Sequence, residues 1–162
     1  MARTYEPIAT TTLGSAAATV TFSSIPATYT DLVLIMSAKI TSGGATNDRI
    51  QFNGDTSSNY STTVLYGSGS AAGSYRLSST SILIDDVTST NFNANIINIM
   101  NYANTTTYKT VILRSSPPDS SVQANVGLWR KTPEAINQVS VLAGSSTFVA
   151  GSTFTLYGIK AA

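Results

Sequence analysis

The chain contains no histidine and no cysteine. The first absence removes the base of a Ser–His catalytic pair. The second removes disulfides and thiolate ligands, so redox chemistry does not mark a compartment. A Ser–Lys dyad stays formally available from four lysines and many serines, but no spacing singles one out. Charge is scarce as well: 10% of residues are charged, against roughly 25% in an ordinary soluble domain. The net charge is +1, and the basic residues are scattered from Arg3 to Lys160. That is too little positive charge to hold the phosphate backbone of a nucleic acid. A nearly neutral chain repels its own copies weakly, which permits association. No apolar run approaches the ~18 residues of a membrane helix. The first eight residues lack the apolar stretch of roughly 7–15 residues that a secretory signal needs, so synthesis in a cytosol is the expectation.

Serine and threonine, in contrast, outnumber all charged residues by more than two to one. Threonine is β-branched and suits strands. Strand signals recur along the whole length. Residues 19–23 alternate polar and apolar, the period of a half-buried strand. Residues 31–40 begin apolar on both faces, as a central strand does, and then alternate. Residues 49–53, 81–87, 94–102, 108–114, 122–130, 138–142 and 153–159 continue the series. In 122–130 the side chains of Val122, Ala124, Val126 and Leu128 share one face. Gly-, Ser-, Asn- and Pro-rich breaks at 42–46, 67–73, 115–119 and 143–146 separate these runs. Pro117 and Pro118 exclude a central strand at their position. No segment sustains a helical apolar period, although 55–60 has room for one helical turn. The expectation is an all-β fold, a jelly-roll-like β-sandwich of about nine or ten strands. It occupies residues 1–162 as a single domain, with residues 1–13 either an extended N-terminal arm or an edge strand.

Candidate sites are few. Asp85 and Asp86 are adjacent carboxylates, but neighbours in a strand point to opposite faces and cannot readily share a substrate. Nothing selects a distant acid pair of the glycosidase kind. The segment Phe52-Asn-Gly-Asp-Thr-Ser-Ser-Asn-Tyr60 is the most distinctive local string. Asn53-Gly54 is a turn signal, and Asp55 can cap the turn that follows. Asp48, Asn53, Asp55 and Asn59 could instead offer oxygens to Ca²⁺, but their spacing does not match an EF-hand loop, so a structural turn is the reading adopted. Asn59 and Asn104 open glycosylation-type triplets that a chain rich in Asn, Ser and Thr produces by chance. Tyr29, Tyr60, Tyr66, Tyr75, Tyr102, Tyr108 and Trp129 are the remaining candidates, read as partial core or interface residues with a sugar-stacking platform as the alternative. Tyr60, Tyr66, Tyr75 and Trp129, with Arg130 beside it, are the residues expected at an interface or against a glycan, and Trp129 has cations next to it for a cation–π contact. No catalytic, cofactor-binding or metal-binding residue is assigned, and an enzyme is not expected.

The string Ile25-Pro-Ala-Thr-Tyr-Thr-Asp-Leu-Val-Leu-Ile35, then Gln51-Phe-Asn-Gly-Asp-Thr-Ser-Ser-Asn-Tyr-Ser61, then Leu156-Tyr-Gly-Ile-Lys160, resembles small virion structural proteins of tailed bacteriophages, cyanophages among them. The resemblance spans most of the chain, from Ile25 to Lys160. It implies a sandwich body that serves as a capsid decoration (cement) protein or as part of a tail fibre. The chain shows no coiled-coil stalk and no repetitive shaft, which favours the small independent subunit. The expectations that follow are attachment to the major capsid protein at the outer surface of the virion, and self-association as a homotrimer. The alternative is a receptor-binding module that stacks tyrosines and Trp129 on host surface glycans.

Overall fold

The computed structural model describes residues 4–41, 46–88, 90–116 and 121–160. Twelve strands carry the chain: β1 (Tyr5–Thr12), β2 (Thr19–Phe22), β3 (Asp31–Ala38), β4 (Thr46–Phe52), β5 (Tyr60–Gly67), β6 (Ala72–Ser79), β7 (Ile82–Val87), β8 (Asn93–Met100), β9 (Lys109–Ser115), β10 (Val122–Trp129), β11 (Val139–Leu142) and β12 (Thr153–Ile159). They form two antiparallel sheets, one of eight strands ordered β1-β12-β3-β8-β9-β10-β5-β6 and one of four ordered β2-β11-β4-β7. No helix occurs among the described residues. The fold is an all-β, jelly-roll-like sandwich, as the alternation predicts.

The strand count exceeds the nine or ten expected, and the hairpin β5–β6 accounts for the excess. Its sequence is dominated by Ser, Thr and Gly, so it carries little apolar alternation, and the segment 67–73 resembles a plain loop. The tip is a tight turn closed by the Ser68 N–H to the Ala71 carbonyl, 2.8 Å, with Gly69 at φ 85°. Residues 55–60 hold a turn rather than helix. Tyr5–Thr12 is an edge strand paired with β12, which resolves the arm-or-edge alternative for that stretch. The breaks expected at 42–46 and 115–119 lie in part outside the described residues, as do the side chains of Asp85 and Asp86.

The core sits between the sheets. Leu32, Leu34 and Met36 of β3, Ile97 and Ile99 of β8, Val111 and Leu113 of β9, and Phe154 and Leu156 of β12 face Ile50, Phe52, Ile82, Ile84, Val139 and Val141 of the small sheet. Burying one such side chain contributes on the order of 1.5–3 kcal/mol. Gly127 in β10 lets the small sheet approach: a Cβ there would lie 2.5 Å from the Ile82 side chain. Strand β7 ends the small sheet, and its free edge meets the large one. The Leu83 N–H donates to Thr62 Oγ1 at 3.0 Å, and Asn125 Nδ2 donates to the Ile84 carbonyl at 2.8 Å. Thr62 and Asn125 are fully buried polar residues whose presence these two bonds explain, since an unpaired buried backbone group is costly.

Candidate contact surface

The five residues expected at a contact surface fall into two groups. Tyr60 and Trp129 are opposite each other in the β5–β10 register and are 0% and 2% exposed. They are core residues, contrary to the expectation of an exposed platform, because both point to the inner face of the large sheet beneath Phe52. Their rings stack at 6.2 Å and 18°. Trp129 Nε1 donates to Asp55 Oδ2 at 2.7 Å, and the Tyr60 hydroxyl accepts from the Phe52 N–H at 3.1 Å and donates to the Asp55 carbonyl at 3.1 Å. Arg130 is half-buried and continues the strand, its N–H bonded to the Asn59 carbonyl at 2.8 Å. Lys131 supplies the cation–π contact, 5.9 Å above the Trp129 ring.

The turn that carries Asp55 is built around this group. Asn53, at φ 51°, and Gly54, at φ 66°, occupy the left-handed region that the Asn-Gly pair tolerates. Asn53 Oδ1 accepts from the Asn137 and Gln138 N–H groups, and its amide donates to the Ala135 carbonyl at 2.8 Å. Asp55 accepts from the Ser57 N–H and from Asn59, both at 2.9 Å, in addition to Trp129. Burial works to raise the Asp55 pKa, but the hydrogen bonds from Asn59, Trp129 and Ser57 together prevail and bring it to about 2. Burial pushes the Tyr60 phenol up, and the negative Asp55 and Glu134 add to that. With its carboxylate oxygens taken by protein donors, Asp55 serves the turn, as the structural reading of this segment holds. Asn104 likewise serves a turn, its Oδ1 accepting from Thr106 and Thr107.

Tyr66 and Tyr75 form the second group and are 37% and 45% exposed. They lie on β5 and β6 with ring centroids 6.3 Å apart. The Tyr66 ring covers Gly73, its register partner, so closely that a Cβ there would lie 2.8 Å from the hydroxyl. An aromatic ring laid over an edge glycine is a known stabilising device.

A further set of exposed apolar residues lies on the outward face of the large sheet. Ile35, Ile96, Ile112, Val126, Leu65 and Val122 point outward there and are 36–57% exposed. The register aligns them in rows: Ile35 opposite Ile96, Ile112 opposite Asn98 and Val126, Ala124 opposite Arg114 and Leu65. In strand β10 the apolar face of the sequence is the outward one. Its apolar set, Val122, Ala124 and Val126, faces out, while Asn125, Gly127 and Trp129 face the core. Two shallow grooves flank the face. One, of about 400 Å³, is bordered by Leu65, Tyr66, Arg114, Val122, Gln123 and Ala124, and the other, of about 230 Å³, by Asp31, Asn98, Met100 and Ile112. Alternation within β8 and β9 implies an outer face, but nothing in the sequence brings Ile35 and Ile96 beside Ile112 and Val126, whose two rows are interrupted by Arg114 and Asn98.

No family model matches the chain, and no curated protein matches it. Among solved structures it is similar to the galectin LEC-6 of Caenorhabditis elegans, at 7% identity over 94% of this chain and 96% of that one, with a TM-score of 0.37. It is also similar to CG-16, a homodimeric agglutinin from chicken liver, at 12% identity over 84% and 98%, with a TM-score of 0.35. The alginate lyase Aly36B shares 8% identity over 94% and 80%, with a TM-score of 0.32. These are distant likenesses of architecture.

Proposed function

We propose that this chain is a structural contact protein that docks through the outward face of its eight-stranded sheet, and that its setting is a phage virion, where it decorates the capsid. The observation that carries the first part is the set of exposed apolar residues Ile35, Ile96, Ile112, Val126 and Leu65 on a sparsely charged face, where Arg114 lies between Ile96 and Ala124 and Arg76 lies at the β6 edge. Monomers rarely expose a contiguous apolar patch of more than a few hundred Å², and larger ones mark interaction surfaces. The sequence resemblance supplies the virion. Docking of this kind is mechanical. A subunit that binds only the intact shell stabilises it by mass action, because expansion of the shell then has to break those contacts too. The surrounding Ser, Thr and Asn side chains suit a rim that holds bridging water.

The test is reconstitution on shells of the parent phage stripped of this protein. The wild type should rebind at a copy number comparable with that of the major shell protein. Raising NaCl to a few tenths molar should weaken attachment little, since salt screens ion pairs and leaves apolar contacts intact. Copies confined to the tail, or release by that salt, would contradict the capsid role.

One observation favours a second reading, glycan recognition: Tyr66 and Tyr75 present ring surface beside Gln123. Tyr66→Ala should then abolish binding on a glycan array. Trp129, being buried, has no part in that reading.

A further inference from the structure

A sandwich of two open sheets has four edges, and each exposes backbone donors and acceptors that invite another strand. Three of the four are protected here. Strand β1 contains Pro7, slips register between Pro7 and Ala9, and carries the Glu6–Lys160 ion pair at 2.9 Å. Proline, a bulge and charge each discourage edge pairing. Strand β2 has only four residues. The free edge of β7 is covered by Thr62 and Asn125 of the facing sheet. The fourth edge is different. Strand β6 has eight residues, contains no proline, and pairs with β5 in unbroken register from Ala72 to Ser79. It ends the large sheet, and no described strand pairs with its outer side. Its one charged residue is Arg76.

We infer that β6 pairs antiparallel with β6 of a second copy of this chain about a two-fold axis, joining the two large sheets into one. The register follows from symmetry. An axis perpendicular to the sheet keeps both inner faces on the same side, and opposed residues of an antiparallel pair share a face. The axis must therefore pass through a residue pair. Two registers keep the longest overlap. Centring on Arg76 sets two arginines directly opposite each other, and like charges in that position are destabilising. Centring on Tyr75 sets Tyr75 against the second copy's Tyr75, Arg76 against Ser74 and Leu77 against Gly73. The second register is the one adopted. A closed ring of three built by strand addition would require β6 to pair with a neighbour's β1, the edge that Pro7 and the bulge obstruct. A two-fold pairing meets no such obstacle. The inference does not depend on what the outward face binds.

The absence of cysteine makes the test clean, because a single introduced thiol has one possible partner. Facing Cα atoms in an antiparallel pair lie about 4.5–5.5 Å apart, inside the disulfide range of roughly 4.4–6.8 Å. Under mild oxidation Tyr75→Cys should form a covalent species of twice the 16.9 kDa chain mass, at least about tenfold faster than Thr10→Cys on β1, because pairing raises the effective thiol concentration. Equal rates for the two, faster cross-linking of Arg76→Cys, or no dimer would overturn the inference. A charge swap that spares Tyr75 tests the register independently. Ser74→Glu places a carboxylate opposite each Arg76 and should tighten the dimer severalfold in sedimentation velocity, whereas Ser74→Lys should loosen it by a similar factor. No difference between those two folded variants would refute the Tyr75-centred register. An Ile112→Asp/Val126→Asp double variant, which disables the outward face, should cross-link through Tyr75→Cys as before, so failure of the docking reading and failure of this one are distinguishable.

Discussion

The two faces of strand β10 reverse the usual order of polarity. Inward lie a glutamine, an asparagine, a glycine and a tryptophan whose N–H reaches Asp55; outward lie two valines, an alanine and a leucine. The last three inward residues each meet a specific group of the same chain. Asn125 closes the free edge of β7, Gly127 admits Ile82, and Trp129 completes the Asp55 turn. The outward residues have no covering element among the described residues of this chain. The inner face is thus fitted to one partner already present, the small sheet. The outer face is suited to a partner supplied from outside.

Paired substitutions on that strand separate the two faces. Trp129→Ala should lose about 3–5 kcal/mol in urea unfolding through the cavity it leaves, plus the orphaned Asp55 acceptor. Val126→Ala, three residues earlier on the other face, should stay within about 0.5 kcal/mol. Comparable losses at the two sites would erase the distinction. Thr62→Val keeps the volume but leaves the Leu83 N–H without its acceptor, and should cost about 1–3 kcal/mol, readable as a shift in thermal midpoint. Acid unfolding probes the same inner face. Asp55 has its pKa lowered from 3.8 to about 2 in the folded state, so the unfolded chain binds its proton first as pH falls. Its contribution is complete above about pH 5 and disappears as pH drops through 4 toward 2, a loss on the order of 1–2 kcal/mol. Asp55→Asn should flatten that part of the stability–pH curve; an unchanged slope would point to another carboxylate. The smallest effect is expected on the outer face, where Ile112→Ser should barely move stability.

How much of this is legible in the sequence depends on what alternation encodes. Period-two patterning identifies strands and separates their two faces, so β2, β3 and β12 appear with correct boundaries to within two residues. It does not say which face points inward. In β12 the apolar set is the core set; in β3 both faces are apolar and Ile35 lies outward; in β10 the apolar set is the outward one, because the deciding contacts come from β7 and from the Asp55 turn, both distant in sequence. The β5–β6 hairpin escapes the pattern for a related reason. Its Thr62 and Ser61 are buried hydroxyl residues, and a strand stabilised by side-chain hydrogen bonds to a facing edge has no hydrophobic signature. The Asn53-Gly54 turn, by contrast, is fully visible, since its backbone demands are local. For Trp129 and Tyr60 the sequence leaves core, interface and glycan-contact readings open, and polar neighbours such as Arg130 and Asn59 do not decide among them. In space Asp55 is what allows their polar atoms to be buried.

Whether the outward sheet face is a docking surface is tested most directly by binding of the folded Ile112→Asp/Val126→Asp double variant to shells stripped of the wild-type protein. Two carboxylates placed opposite each other on β9 and β10 should lower the thermal midpoint by a few degrees but keep the circular dichroism spectrum of the folded chain, while abolishing attachment. A double variant that stays folded and occupies the shell as fully as the wild type would contradict docking through this face.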